Sequence, residues 1–344
     1  MDKSVVFAVA GSGKTTKIVQ QLDEQRRHLL ITYTDANRDN LRRKIIERFG
    51  HFPTNIKLLS YFKFLHSFCY RPFLRSEKNT RGLLFTLPPA KDGFKLTEDR
   101  RFMTASRRLY SNRLAKFVEQ TGTVPHVIAR LEKYFDAVYV DEVQDFAGHD
   151  FNLLMQLIPA NVEYLFVGDF YQHTYDTSRD GIINKSLHSD YTKYQGRFKK
   201  AGLRVDLDTL KASRRCSTSV CDFITQQIGI SIQSSGERES LVRFEEEKDA
   251  AEAIYRDQSV VKLFYQEHYK YGCYSENWGA SKGLDHYQDV CVVLSAPNVK
   301  AWKSGTLKDI NPETKNKLYV ACSRARGNLT FVPEALLKKH KKAM

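Results

Sequence analysis

No apolar run in this chain approaches the roughly 18 residues that a membrane-spanning helix needs. The opening Met-Asp-Lys-Ser has none of the apolar body of a secretory leader. Both absences lead to the expectation of a soluble, cytoplasmic protein with no membrane partner. The six cysteines include no C-x-x-C pair and no Cys/His ligand spacing, which argues against a zinc ribbon or a disulfide framework and for buried thiols in a reducing compartment. There is no solenoid-type repeat and no low-complexity tract. Acidic residues are also scarce: 40 Asp and Glu face 54 Lys and Arg, a formal charge of +14. That imbalance suits a polyanionic partner such as nucleic acid, or at the least a solubilising basic surface.

What is present is the pattern of an α/β protein. Its 344 residues allow one to three domains, each able to bury a core. Apolar runs at 4–9, 28–33, 56–60, 137–141 and 163–168 read as strands. Helical patterns lie between them at about 14–26, 36–48, 61–70 and 148–158. Alternation of this kind predicts parallel sheets covered on both faces. A polar, basic stretch near 75–125 interrupts the first series as an insertion, with a basic helical segment near 104–116. The polar stretch 177–203 reads as a link. A second series follows: strands near 205–210, 259–264, 288–295 and 328–332, and a helix near 217–228. A last helix opens at Asn311-Pro312-Glu313, a cap, a first-turn proline and an acidic first turn, and runs to about Arg324. The predicted domains are 1–190 and 191–344.

The chemistry starts at the first strand. Ala8-Val-Ala10-Gly11-Ser12-Gly13-Lys14-Thr15-Thr16 follows Val5-Val6-Phe7 and precedes a helix. This is the arrangement of a phosphate-binding loop. Gly11 and Gly13 let backbone N–H groups turn onto phosphate oxygens, Lys14 reaches the β/γ-phosphates, and Thr15 offers a hydroxyl to Mg²⁺. Ala137-Val-Tyr-Val140 then ends in Asp141-Glu142. The first carboxylate is a candidate metal ligand and the second a candidate general base for the attacking water. The next strand ends in Gly168-Asp-Phe-Tyr-Gln172, where Gln172 is a neutral group suited to sensing a γ-phosphate or its water.

Taken in order, A-G-S-G-K-T, D-E-V-Q-D and V-G-D-x-x-Q resemble the superfamily 1 helicases of the UvrD/Rep type. Further segments fit the same order: Ile31–Asn37 resembles motif Ia, Leu59–Phe62 motif Ib, Leu210–Ser217 motif IV, Ala280–Asp285 motif V and Leu318–Ala325 motif VI. The resemblance implies two RecA-like P-loop NTPase domains with parallel sheets and an ATP cleft between them. ATP and Mg²⁺ would be the cofactors. Ala10 to Thr16, Arg214, Gly283 and Asp285 would bind ATP, and Thr15 and Asp141 the metal. Glu142, Gln172, Arg215 and Arg324 would be catalytic, the arginines neutralising γ-phosphoryl charge as planar forks that lysine cannot imitate. Tyr33, Ser60, Tyr175 and Lys282 would contact single-stranded DNA, or RNA, with the tyrosines as stacking platforms.

Several positions depart from the family. The chain has only seven residues before Ala8, so the adenine-reading Gln of an upstream element has no counterpart. Arg214 stands where an adenine-stacking Tyr is usual, Asp285 where Glu is usual, and Thr177 where Trp is usual. About 70 residues separate the motif Ib and II segments and about 60 the motif IV and V segments. That leaves a reduced 1B-like insertion and largely no 2B. The expected activity is ATP-driven movement on single-stranded DNA, 3′→5′ by resemblance. The alternative is a DNA-stimulated regulatory ATPase of a phage or anti-phage defence complex, acting with a nuclease partner and unwinding little by itself.

Overall fold

The computed structural model describes residues 1–89, 93–174 and 182–342. Its two larger sheets are of parallel strands flanked by helices, an α/β architecture as the alternation predicts. The first sheet has six strands: β1 (Lys3–Phe7), β2 (His28–Thr32), β3 (Ile56–Ser60), β4 (Ala137–Val140), β5 (Glu163–Gly168) and β6 (Arg204–Asp206), in the order β3-β2-β4-β5-β1-β6. Pairing is parallel at β3–β2, β2–β4, β4–β5 and β1–β6. β2 and β4 are buried at every position and β1 at every position after Lys3. That is why they read as continuous apolar runs rather than as alternating ones.

Contacts divide the chain into two compact units. The first comprises 1–6, 14–168 and 175–206, and the second 7–13, 169–174 and 207–344. Two expectations change here. The strand assigned to the start of the second series is β6, which pairs with β1 of the first sheet. The supposed link contains a helix, Tyr191–Lys200, whose Tyr194 and Phe198 are fully buried against Phe151 of the same unit. Spaced four apart, these two rings share one helical face. Four basic residues and a glycine around them hide the signal in any average.

Local chemistry explains most boundaries. Thr34 caps the helix Asp35–Phe49 by accepting from Asn37 N (3.2 Å), and Gly50 ends it in the left-handed region. The helix after the phosphate loop is short, Lys14–Gln20, because Asp23 folds the chain into a turn by accepting from the Gln25 and Arg26 amides. Within the insertion, Leu83–Leu84 pair with Leu109–Tyr110. The expected helix at 104–116 instead begins with a tight turn at Ser111–Arg113 and runs Leu114–Gln120. Phe102 and Phe117 stack there at 4.6 Å.

The second unit holds a five-stranded sheet: β7 (Val242–Phe244), β8 (Val261–Phe264), β9 (Ser275–Asn277), β10 (Val290–Leu294) and β11 (Leu329–Pro333), ordered β7-β11-β10-β8-β9 and parallel throughout. Polar residues made β7 and β9 illegible as strands. The core beneath includes Trp278, whose indole N–H donates to Leu263 O at 2.9 Å. The helix Pro312–Cys322, capped by Asn311, buries Leu318, Tyr319, Ala321 and Cys322 in the same cluster. Fully burying an apolar side chain of this size contributes about 1.5–3 kcal/mol, so the helix carrying the motif VI segment is held by packing.

Candidate functional site

In the first unit, parallel pairing puts the C-terminal ends of β4 and β5 at one edge of the sheet. Asp141 and Glu142 follow β4. Asp141 is almost completely buried, and Thr15 Oγ1 donates to its Oδ2 at 3.3 Å. Lys14 Nζ lies 4.0 Å from Glu142 Oε1, with both side chains mostly buried. Burial first, and the neighbouring Glu142 charge second, push the Asp141 carboxyl up to about 7, while Lys14 and the Thr15 hydroxyl pull the other way. Glu142 sits at φ 55°, ψ 50°, a left-handed conformation costly for a residue with a side chain. Its carboxylate accepts from Gln144 Nε2 at 2.6 Å. Gln144 is wholly buried and lies so close to Gly168 that a Cβ there would meet its Oε1 at 2.5 Å. Gly168 therefore leaves room for the side chain that orients Glu142.

In the second unit, Gly11 has φ +72°, and a Cβ on it would come within 2.7 Å of Arg215 Cβ and 2.8 Å of Ser213 Oγ. Gly11 O accepts from Arg214 N at 3.0 Å. Arg214 itself is exposed. Ala10 N donates to the Tyr319 hydroxyl at 2.8 Å, which donates to Asp169 Oδ2 at 2.9 Å. Gln172 Nε2 donates to the same oxygen at 2.8 Å. One buried network thus joins the residues before Gly11, the turn after β5 and the helix Pro312–Cys322.

Arg215 and Arg324 also meet. Arg215 Nη2 pairs with Asp285 Oδ1, and Arg324 Nη1 lies 3.4 Å from the same oxygen. Arg215 Nη1 donates to Ser323 O at 3.1 Å, and Arg324 Nε to Val320 O at 3.1 Å. Arg324 is 2% exposed. Burial first, then the Arg215 charge, lower its pKa to about 10, with Asp285 opposing.

Of the residues singled out in the sequence, Lys14, Thr15, Asp141 and Glu142 therefore come together in one unit. Ala10, Gly11, Gln172, Arg214, Arg215, Arg324 and Asp285 come together in the other. Ser12 and Gly13 complete the loop, with Ser12 Oγ donating to Val9 O at 2.8 Å. Thr16 accepts from Lys44 Nζ at 3.3 Å, a helix-to-helix contact. Gly283, at φ +83°, and half-buried Lys282 lie on the turn before Asp285. Tyr33 and Ser60 stand at the ends of β2 and β3, where Thr32 and Ser60 are register partners. Tyr175 lies outside the described residues, as does Thr177. Gln144, Asp169 and Tyr319 were not singled out. All three sit inside segments quoted above, and a polar group within a run of buried neighbours was the available signal.

Among the described residues no three His, Cys, Asp or Glu side chains cluster as a metal cage. The donor set at Thr15 and Asp141 instead suits Mg²⁺, which is usually held by one or two oxygens of the protein together with substrate phosphates. No helix of the described residues is long and apolar enough to cross a membrane.

A family model described as the viral superfamily 1 RNA helicase core domain matches residues 103–333. The chain belongs to this family. Membership places it in the helicase superfamily that the motif order implies. The matched region starts beyond the phosphate loop and includes Asp141, Glu142, Gln172, Arg215, Asp285 and Arg324. No curated protein matches the chain. Solved structures similar to it include the Arterivirus nonstructural protein 10 helicase in complex with DNA, at 14% identity and a TM-score of 0.46 over 96% of this chain and 60% of that one. Another is the PRRSV helicase, at 14% identity and a TM-score of 0.48 over 98% and 54%. The chain thus spans little more than half the length of these structures.

Proposed function

We propose that this chain uses ATP with Mg²⁺ to move along single-stranded nucleic acid. The observation that carries the reading is the cluster of Lys14, Thr15, Asp141 and Glu142, built from two distant segments of the first unit. Gly11 and Gly13 would offer amides to the phosphates, with Lys14 countering the β/γ charge, while the Ala10 amide is taken by the Tyr319 hydroxyl. Thr15 and Asp141 would hold Mg²⁺, which supplies charge neutralisation at the phosphates when bound. Glu142, oriented by Gln144, would accept the proton of the attacking water, consistent with its partly exposed carboxylate beside a fixed amide. Arg215 and Arg324 would neutralise charge on the transferring group, and Gln172 would couple hydrolysis to movement. Arg214, Gly283 and Asp285 would border the base and ribose. Tyr33, Ser60, Tyr175 and Lys282 would contact the strand.

Within superfamily 1, the motif resemblance favours the UvrD/Rep group, hence DNA and 3′→5′ travel. The family is one of RNA helicases, so both polymers are arms of the test. Hydrolysis is to be measured alone, with single-stranded DNA and with single-stranded RNA, followed by strand separation on duplexes with 3′ or 5′ tails. A several-fold rise in rate with one polymer is expected. A rate indifferent to both would defeat the proposal, and unwinding only from 5′ tails would remove the UvrD/Rep assignment.

A further inference from the structure

Phe85 is a large apolar ring left 66% exposed. It stands edge-on to Phe62 with centroids 5.2 Å apart. Phe62 meets Tyr33 edge-on at 5.7 Å, and Tyr33 stacks on buried Tyr61 at 5.8 Å and 20°. Tyr61 is fixed by donating to Asp150 Oδ1 at 2.9 Å. Four rings thus form a row that leads from the core of the first unit to its surface. The row starts at the C-terminal ends of β2 and β3 and ends in the insertion between β3 and β4.

The charge of that insertion selects among occupants. Residues 75–125 carry eleven Lys and Arg against five Asp and Glu, so +6 of the chain's +14 falls in 51 residues. Arg81 and Arg108 are exposed on the short ladder that presents Phe85, and Arg108 Nη2 donates to Leu83 O at 3.2 Å. An apolar peptide or a second copy of this basic chain would meet this charge unfavourably. A polyanion with free aromatic faces meets both features. Unpaired bases have such faces, whereas paired bases already stack on each other.

We infer that Phe62 and Phe85 form a base-stacking platform for single-stranded nucleic acid, with Arg81 and Arg108 holding the adjacent phosphates. This rests on the strand-binding reading above and extends it to the insertion, which that reading leaves without a role. Stacking is blind to the sugar, so DNA and RNA are both probes.

The test is fluorescence anisotropy of the full chain with labelled oligothymidylate and oligouridylate, alongside hydrolysis without a strand. Phe85→Ala is expected to weaken binding of the bound polymer about tenfold, as loss of one stacked base does. Strand-free hydrolysis should not change, and Phe85→Trp should restore binding, which a folding defect would not allow. Arg81→Ala with Arg108→Ala should lower the slope of log affinity against log salt by roughly 1.4. Wild-type protein that binds neither oligonucleotide defeats the strand-binding reading itself. Wild-type binding that Phe85→Ala leaves within about twofold overturns the platform alone.

Discussion

The two units answer the same electrostatic problem with opposite signs. In the first, two carboxylates, Asp141 and Glu142, share one lysine, Lys14. In the second, two arginines, Arg215 and Arg324, share one carboxylate, Asp285. Each cluster holds a buried group whose charged form is disfavoured: burial and the Glu142 charge raise the Asp141 carboxyl, and burial and the Arg215 charge lower Arg324. Buried charge without full compensation costs several kcal/mol. It persists where a ligand of the opposite sign supplies the remainder. A cation suits the first cluster and an anion the second.

Breaking the first cluster should have the largest effect. Lys14→Ala is expected to abolish hydrolysis, measured as phosphate release, and residual turnover near the wild-type rate would sink the assignment of the loop. Glu142→Gln keeps the shape and removes the proposed base. It should lower kcat by about 10²–10⁴ while nucleotide still binds, as followed by a fluorescent analogue. In the second cluster, Arg324→Lys keeps the charge and loses the fork. It should cost about 10²–10³ in kcat with KM changed far less, and a pure KM effect would argue for ground-state binding instead.

Asp285→Asn sharpens the comparison, because it leaves both arginines with no carboxylate between them. Asp285 is more than half exposed, so the loss should be modest, about 1 kcal/mol in thermal unfolding. Added Mg²⁺–triphosphate should raise the variant's Tm more than it raises that of the wild type. Equal shifts would show that the ligand does not take over the carboxylate's work.

A balanced one-to-one pair provides the control. Asp136, beside Arg27, is held down at about 2, chiefly by the guanidinium hydrogen bond. Its folded pKa lies below the usual 3.8, so its stabilisation is full above that value and is lost as pH falls through about 2. Asp136→Asn should cost less than about 1 kcal/mol at neutral pH, since the pair is well exposed. The two unfolding curves should converge in acid. A difference that survives there would have another origin.

The first cluster was legible in the sequence because each half lies beside a buried strand. Val5-Val6-Phe7 announces the loop, and Ala137–Val140 announces the carboxylates. The second cluster was legible only as separate motif positions. Arg215 and Asp285 are 70 residues apart, and Asp285 and Arg324 are 39 apart. No local pattern shows that both arginines converge on one oxygen. The 191–206 stretch was hidden for another reason: two buried rings carry its packing, and the surrounding lysines dominate its composition. β7 and β9 are short strands whose polar residues find partners only through the sheet.

The Tyr319 hydroxyl has a single hydrogen, and it is committed to Asp169. Toward the Ala10 amide the oxygen can therefore act only as receiver, which gives the chain of bonds a polarity that no rotation of a neighbouring group can reverse. An acceptor drawing the Ala10 hydrogen toward itself would take it from this oxygen, while the commitment to Asp169 stayed in force. The phenol is a one-way joint: replacing it with Phe would disconnect both sides in one step.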